Sequence, residues 1–294
     1  APAAARKAPT GSDRQGNRLE IDFDSLAEAG YLTPKSMRSA LAEEMRLIKR
    51  SVVQTFWFQE VERANLIMVT SAFPKEGKSF VALNLAMSLA WEVDFHVLLI
   101  DADFHRPVVF DRLGIGRRRG LMDVLRDPDG DIGSVIMHTN IERLSIVGPG
   151  SRHEGSSELL ASQRMQQLTG EIADRYPDRL VIFDTPPLLA SSEPSTLAGH
   201  MGQVVYVVEA DSTPKEAVEH ALSLLPRDTK VGIVLNKGRA GTGGASLKDA
   251  LGQLESTLIA EAIARCNGNK KKAAEHLGVS RSYLYKKLEE TSST

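Results

Sequence analysis

The chain has 294 residues, 42% of them hydrophobic and 25% charged, the proportions of an ordinary globular protein, which excludes a disordered or disulfide-framed chain. Lys and Arg number 36 against 38 Asp and Glu, so a nucleic-acid surface can come only from local clustering. Cys266 is the single cysteine, which excludes an internal disulfide and fits a reducing cytoplasm, and the longest apolar runs, such as 97–100, fall far short of the ~20 residues of a membrane helix.

Residues 1–35 read as a flexible N-terminal lead. The opening APAAARKAPTGSDRQG is rich in Ala, Pro and Gly and lacks the continuous apolar core of a signal peptide or anchor. From Ser36 to Trp57, Met37, Leu41, Met45, Ile48 and Val52 recur at spacings of three and four, which predicts an amphipathic helix with a charged outer face. Beyond Asn65, aliphatic runs of strand length alternate with helical stretches: LIMVTSA, KSFVALNLAMSLAWE, HVLLIDADF. Further strands are predicted at 144–147, 180–183, 204–209 and 231–235, with helices around 157–175 and 215–225. Uninterrupted apolar strands separated by helices predict an α/β domain with a mostly parallel sheet, buried on both faces, over 36–238. A Gly-rich linker is expected at 239–246, and residues 247–294 show helical periodicity alone.

The run Ala72-Phe73-Pro74-Lys75-Glu76-Gly77-Lys78-Ser79 has P-loop spacing, with Ala in the place of the first Gly, and lies between a predicted strand and a predicted helix. Backbone N–H groups of such a loop, together with the positive end of the helix that continues through Phe80, bind phosphate oxygens. Lys78 would reach the β- and γ-phosphates, and Ser79 would place a hydroxyl on Mg²⁺. Two further segments, LLIDADFHRP and LVIFDTPPLL, put Asp101, Asp103 and Asp184 at the C-terminal ends of buried strands, where open α/β sheets form their ligand crevice. Asp184 is expected to hold Mg²⁺ directly or through water. Either Asp101 or Asp103 would ligate metal or accept a proton from an attacking hydroxyl, and the spacing leaves the choice open.

Together these three segments resemble the Walker A, A′ and B motifs of bacterial tyrosine kinases, the BY-kinases, a P-loop branch that also contains the partitioning ATPases. The resemblance runs from about Leu41 to Lys237 and includes GSSELLASQRMQQL. Partitioning ATPases carry a signature lysine at the second loop position, where this chain has Phe73, so the kinase side of the branch is favoured. The resemblance implies ATP-dependent protein-tyrosine (auto)kinase activity with Mg²⁺, linked to exopolysaccharide synthesis and export. It also implies a cytoplasmic location, at the inner face of the membrane through a chain-length-determinant-type activator. Asn236 and Lys237 are expected beside the adenine, and Glu43, Arg46 and Lys49 resemble the family's EX2RX2R motif for homo-oligomerisation. Two departures stand out. Glu193 is the nearest carboxylate after the Walker B prolines, and Tyr283 and Tyr285 are the only tyrosines beyond the sheet, where the family carries a cluster.

The C-terminal stretch resembles the Fis-type helix-turn-helix over roughly 247–288. Helical stripes at 251–262 and 270–276 precede a turn at Gly278 and a third helix with Ser280 as N-cap. Residues 265–287 hold seven Lys and Arg against one Glu, a phosphate-facing footprint. Arg281, Ser282 and Tyr283 would enter the major groove, with Lys272, Lys286 and Lys287 on phosphates. An ATP-switched DNA-binding regulator is therefore an alternative to the kinase, as is a partitioning-type ATPase. An enhancer-type activator is disfavoured because its GAFTGA loop is absent.

Overall fold

The computed structural model describes residues 18–58, 61–116, 118–151, 155–176, 178–238, 269–276 and single positions 259, 263, 266 and 284. The chain divides into two compact units, Ala1–Gly238 and Arg239–Thr294.

The first unit is built on an eight-stranded sheet. Its strands are β1 (Arg18–Leu19), β2 (Leu66–Ser71), β3 (His96–Asp101), β4 (Met137–Thr139), β5 (Leu144–Val147), β6 (Arg179–Asp184), β7 (Gln203–Glu209) and β8 (Lys230–Asn236), in the spatial order β1-β4-β5-β3-β6-β2-β7-β8. All pairings are parallel except β4 with β5. The helices are α1 (Phe23–Glu28), α2 (Ala40–Phe58), α3 (Lys78–Ala90), α4 (Val108–Arg112), α5 (Leu121–Arg126), α6 (Ser156–Leu160), α7 (Gln163–Arg175), α8 (Glu193–Ala198) and α9 (Lys215–Ser223).

The central strands are apolar at nearly every position because each feeds two cores. Side chains alternate across a strand, so Ile67, Val69, Leu99 and Ile182 pack with α2 and α3 on one face, while Leu66, Met68, Leu98 and Phe183 pack with α5 and α7 on the other. Helix α3 is buried on nearly all sides because α2 covers the face it turns away from the sheet. On α2 the expected stripe is present: Met45 and Val52 are buried, and Leu41 and Ile48 lie half-buried against the same core.

Residues 18–35, expected as part of a flexible lead, are ordered against the core. From Arg18 onward the chain is part of the core, not a free lead: β1 pairs with β4, and Ile21 exchanges two hydrogen bonds with the Asn140 side chain, at 3.0 and 3.1 Å. Leu26, Tyr31 and Leu32 are buried, and the Leu32 amide donates to Asn84 Oδ1 of α3 at 2.8 Å. A two-residue strand and a six-residue helix are too short to show periodicity, which is why composition alone misread them. Strand β4 and helices α4, α5 and α8 escaped prediction for the same reason.

In the second unit, Asn269 Oδ1 accepts from the Lys272 amide at 3.1 Å and so caps the helix Lys270–His276. Ile259, Ala274 and Leu284 are buried together, with Ile263 and Cys266 half-buried against them. The expected linker and the turn at Gly278 lie outside the described residues.

If residues 18–36 are core, Leu26→Ala will lower the unfolding free energy by about 2–5 kcal/mol, whereas Leu47→Ala, 61% exposed, will change it by less than about 0.5 kcal/mol. Urea denaturation of both variants measures the contrast, and equal, small losses would return this segment to the role of a free lead.

Candidate active site

Strands β2, β3 and β6 are neighbours and end at one edge, and this brings the sequence-predicted carboxylates together. Asp101 pairs in register with Asp184, which in turn pairs with Val69 two residues before the end of β2. All three Asp side chains, with Lys78 and Ser79 from the first turn of α3, are buried.

Lys78 is the hub. Its Nζ lies 2.7 Å from Asp103 Oδ2, 3.2 Å from Ser79 Oγ and 3.5 Å from Asp184 Oδ1. Burial pulls the ammonium pKa down, but the charges of Asp184 and Asp103 outweigh it, and the group is held above its ordinary value. Asp101 and Asp103, left as alternatives by the spacing, now differ. Asp101 accepts from the backbone amides of Asp103 at 3.2 Å and Phe110 at 3.3 Å, so both its oxygens organise the loop after β3. Asp103 instead faces Lys78, its second oxygen accepting from the Arg106 amide at 3.0 Å. Burial, and then repulsion from Asp184, pushes the Asp101 carboxyl well above the usual range. Burial also raises Asp184, although Lys78 opposes the shift.

Neither Asp184 oxygen accepts a hydrogen bond of ordinary geometry. A fully buried carboxylate left in this way is costly unless a cation joins it. Among the described residues no group of three or more His, Cys, Asp or Glu forms a dedicated cation cage. Nucleotide-bound Mg²⁺ needs none, since phosphate and water oxygens complete its shell, so the donor set of Asp184 and the Ser79 hydroxyl fits it.

The loop from Ala72 to Gly77 is fastened from three sides, and the sequence did not reveal this. Glu76 is buried, and its carboxylate accepts from the Phe73 amide at 2.7 Å and from the Thr213 hydroxyl. Asn236 donates through Nδ2 to the Glu76 carbonyl at 2.9 Å, and Lys237 donates to the Lys75 carbonyl at 2.7 Å while pairing with Glu209 at 3.0 Å. Gly77 has φ +101°, and a Cβ there would lie 1.9 Å from Asn236 Nδ2, so both conformation and space demand glycine. Asn236 and Lys237 thus touch the phosphate loop itself. Of the remaining loop residues, Phe73 is exposed, Ala72 is buried beneath it, and Pro74 and Lys75 form the outer bend. Phe80 turns away from the phosphate side, its ring 5.0 Å from that of Tyr31.

Other expected residues lie apart from this site. Glu43 pairs with Arg46 on α2, Arg46 also donates to the Met37 carbonyl at 2.7 Å, and Lys49 pairs with Glu92 at the end of α3. Glu193 is buried at the start of α8. Lys272 is exposed on its helix, and Ser280, Arg281, Ser282, Tyr283, Lys286 and Lys287 lie outside the described residues.

The chain is similar to known proteins. The tyrosine-protein kinase YwqD of Bacillus subtilis (strain 168) is 31% identical over 225 residues, which span 76% of this chain and 88% of that protein. The chain belongs to the bacterial tyrosine-protein kinases. The tyrosine-protein kinase Etk of Escherichia coli (strain K12) is 32% identical over 177 residues, 60% of this kinase but only 23% of that longer protein. The solved kinase domain of Etk superposes with a TM-score of 0.62 at 27% identity, covering 78% of this kinase and 92% of that domain. Residues 250–290 match the bacterial regulatory proteins of the Fis family. This kinase is accordingly an ATP-dependent enzyme on a P-loop fold with a Fis-type helix-turn-helix region at its C-terminal end.

The raised Asp184 pKa carries a sign. Its penalty on the folded kinase is absent below the ordinary carboxylate pKa of about 4 and grows as pH rises through the folded value. Asp184→Asn will therefore raise the thermal midpoint of the nucleotide-free protein at neutral pH. The gain will shrink toward about pH 4. A midpoint difference that is flat across pH would contradict this reading of the site.

Proposed function

We propose that Lys78, Ser79, Asp103 and Asp184 carry phosphoryl transfer from Mg-ATP to protein tyrosine, with Asp101 as the residue that holds the Asp103 loop in place. The supporting observation is the convergence of one buried ammonium and three buried carboxylates at the mouth of a glycine-gated phosphate loop. When bound, Mg²⁺ would supply charge neutralisation between the phosphates and Asp184, with Ser79 as a second protein ligand. Lys78 would exchange its bond to Asp103 for the β- and γ-phosphates. Asp103, released, is then the carboxylate facing the incoming phenol and accepts its proton. The bond from the γ-phosphorus to its bridging oxygen breaks, the bond to the tyrosine oxygen forms, and ADP, phosphotyrosine and one proton result. Residues 72–80 would cradle the phosphates, and Asn236 and Lys237 would brace that cradle from the adenine side.

The wider setting is read from relatives. A link to exopolysaccharide synthesis or export, a membrane activator of the chain-length-determinant type, and self-association through Glu43, Arg46 and Lys49 all rest on that likeness. No helix among the described residues is long and apolar enough to cross a membrane.

A second reading accompanies the first. The match to the Fis family over residues 250–290, and the exposed Lys270, Lys271 and Lys272, favour duplex DNA as a ligand of the second unit.

Incubation of the purified protein with Mg-ATP and mass spectrometry will detect phosphotyrosine, and Lys78→Ala will reduce its formation at least about a hundredfold. Retained phosphotransfer in that variant would remove Lys78 from the mechanism. For the second reading, duplex affinity will fall steeply between 50 and 200 mM salt, by about tenfold or more, through counterion release. A gel-shift titration in which binding is absent, or indifferent to salt, would set DNA aside.

A further inference from the structure

A cavity of about 520 Å³ opens beside the loop that follows β3 and is not used by the phosphate chemistry above. Its apolar walls are Phe104, Phe110, Ile115 and Pro149, and Arg118 and Arg119 stand at its rim. Phe104 directly follows Asp103, so the cavity begins one residue from the carboxylate that faces Lys78. The opposite wall is tied to the same chemistry, because the Phe110 amide donates to Asp101 Oδ2. That wall is preformed. A Cβ on Gly148 would fall 2.0 Å from Cζ of Phe110, so the bare backbone there makes room for the tip of the ring.

From this geometry we infer that the cavity is the acceptor subsite, and that it takes the side chain of a tyrosine presented by an acidic peptide segment. The inference rests on the kinase reading of the neighbouring carboxylates. The volume suits one aromatic side chain with part of its backbone, and aromatic and aliphatic walls suit a phenol ring. To react, a ring lodged against Phe104 and Phe110 would direct its hydroxyl along the loop toward Asp103. Acidity follows from the rim. Arg118 and Arg119 are exposed, and among the described residues neither takes part in a salt bridge, although the Asp123 carboxylate lies close enough to Arg119 for the two charges to interact. Asp111 is the one carboxylate among the lining residues. Both arginines also line an adjoining hollow of about 370 Å³ with Val135 and Met137, so an extended segment can run across them while its tyrosine enters the first cavity. Carboxylates flanking that tyrosine would meet the two guanidinium groups.

The test compares two synthetic peptides with a central tyrosine, one flanked by Glu and one by Lys, as acceptors for the full-length protein with Mg-ATP. The wild type will favour the Glu peptide. Arg118→Ala with Arg119→Ala will raise its KM by roughly tenfold at low salt, less at high salt, and erase the preference. Arg118→Glu with Arg119→Glu will invert it, and Arg118→Lys with Arg119→Lys will keep it. ATP hydrolysis and the KM for ATP, measured on the same preparations, will stay at wild-type values and report intact folding. An unchanged Glu-to-Lys ratio in the double alanine variant overturns the proposal, as does a KM for ATP that rises in parallel, which would make the cavity a nucleotide pocket. A wild type that phosphorylates neither peptide while still forming its own phosphotyrosine overturns the subsite alone. Loss of all phosphotyrosine overturns the kinase reading with it.

Discussion

Three buried carboxylates face one buried ammonium. Asp101, Asp103 and Asp184 are all under 5% exposed, and among the described residues Lys78 is the only cation in an ion pair with any of them. Left to itself such a cluster is under-neutralised, and burial accordingly raises Asp101 and Asp184 toward the neutral form. On the proposed reading, a divalent cation carried in by a polyphosphate would correct the imbalance, and the cost of folding this site would become a preference for Mg-nucleotide over empty space. The same charges keep Lys78 ionised in spite of its burial, ready for phosphate.

The rest of the first unit exists to hold that cluster in place. Three adjacent parallel strands with fitted apolar side chains on both faces cannot slip register without mispacking both cores, and so the carboxylates at their ends are fixed relative to the P-loop. The Thr185 hydroxyl donates to the Val69 carbonyl and the Thr70 hydroxyl to the Pro186 carbonyl, stitching the turn after β6 to β2. On the other side of α3, the segment around Leu32 is bonded to Asn84, and Asn84 donates to the Phe80 carbonyl two residues from Lys78. The phosphate loop is thus anchored to β8 through Asn236, to the turn before α9 through Thr213, and at its helix to the N-terminal segment.

What was legible in the sequence follows from how local each determinant is. The P-loop, the two strand-end aspartate segments and the alternation of strands and helices are set by spacing within about ten residues, and the structure assembles them as expected. The choice between Asp101 and Asp103 was not legible, because it depends on which backbone amides the loop after β3 turns inward. Glu76 was read as one more loop residue, yet its partner Thr213 is 137 positions away. The N-terminal segment failed differently. Its apolar residues, Ile21, Leu26, Tyr31 and Leu32, are too sparse for any period, and only docking on α3 and β4 gives them a structure.

The tyrosines show why an open acceptor cavity matters to this enzyme. Tyr206 is fully buried in β7, and burial, with the nearby charge of Glu76, drives its hydroxyl pKa well up. Tyr31 lies under Arg112 at 5.8 Å and against Phe80, and burial raises its pKa too. Phosphorylating either would mean opening the core that fixes the cluster of Lys78 and the three aspartates. Tyr176 is half-buried, with Arg179 stacked 4.4 Å above its ring. A hydroxyl that must lose its proton to a carboxylate while in line with a phosphate needs freedom to approach, and packing denies that to Tyr31 and Tyr206. On the proposed reading, tyrosine chemistry divides in two, one kind locked into the scaffold and one admitted from outside through a cavity whose walls are tied to Asp101 and Asp103.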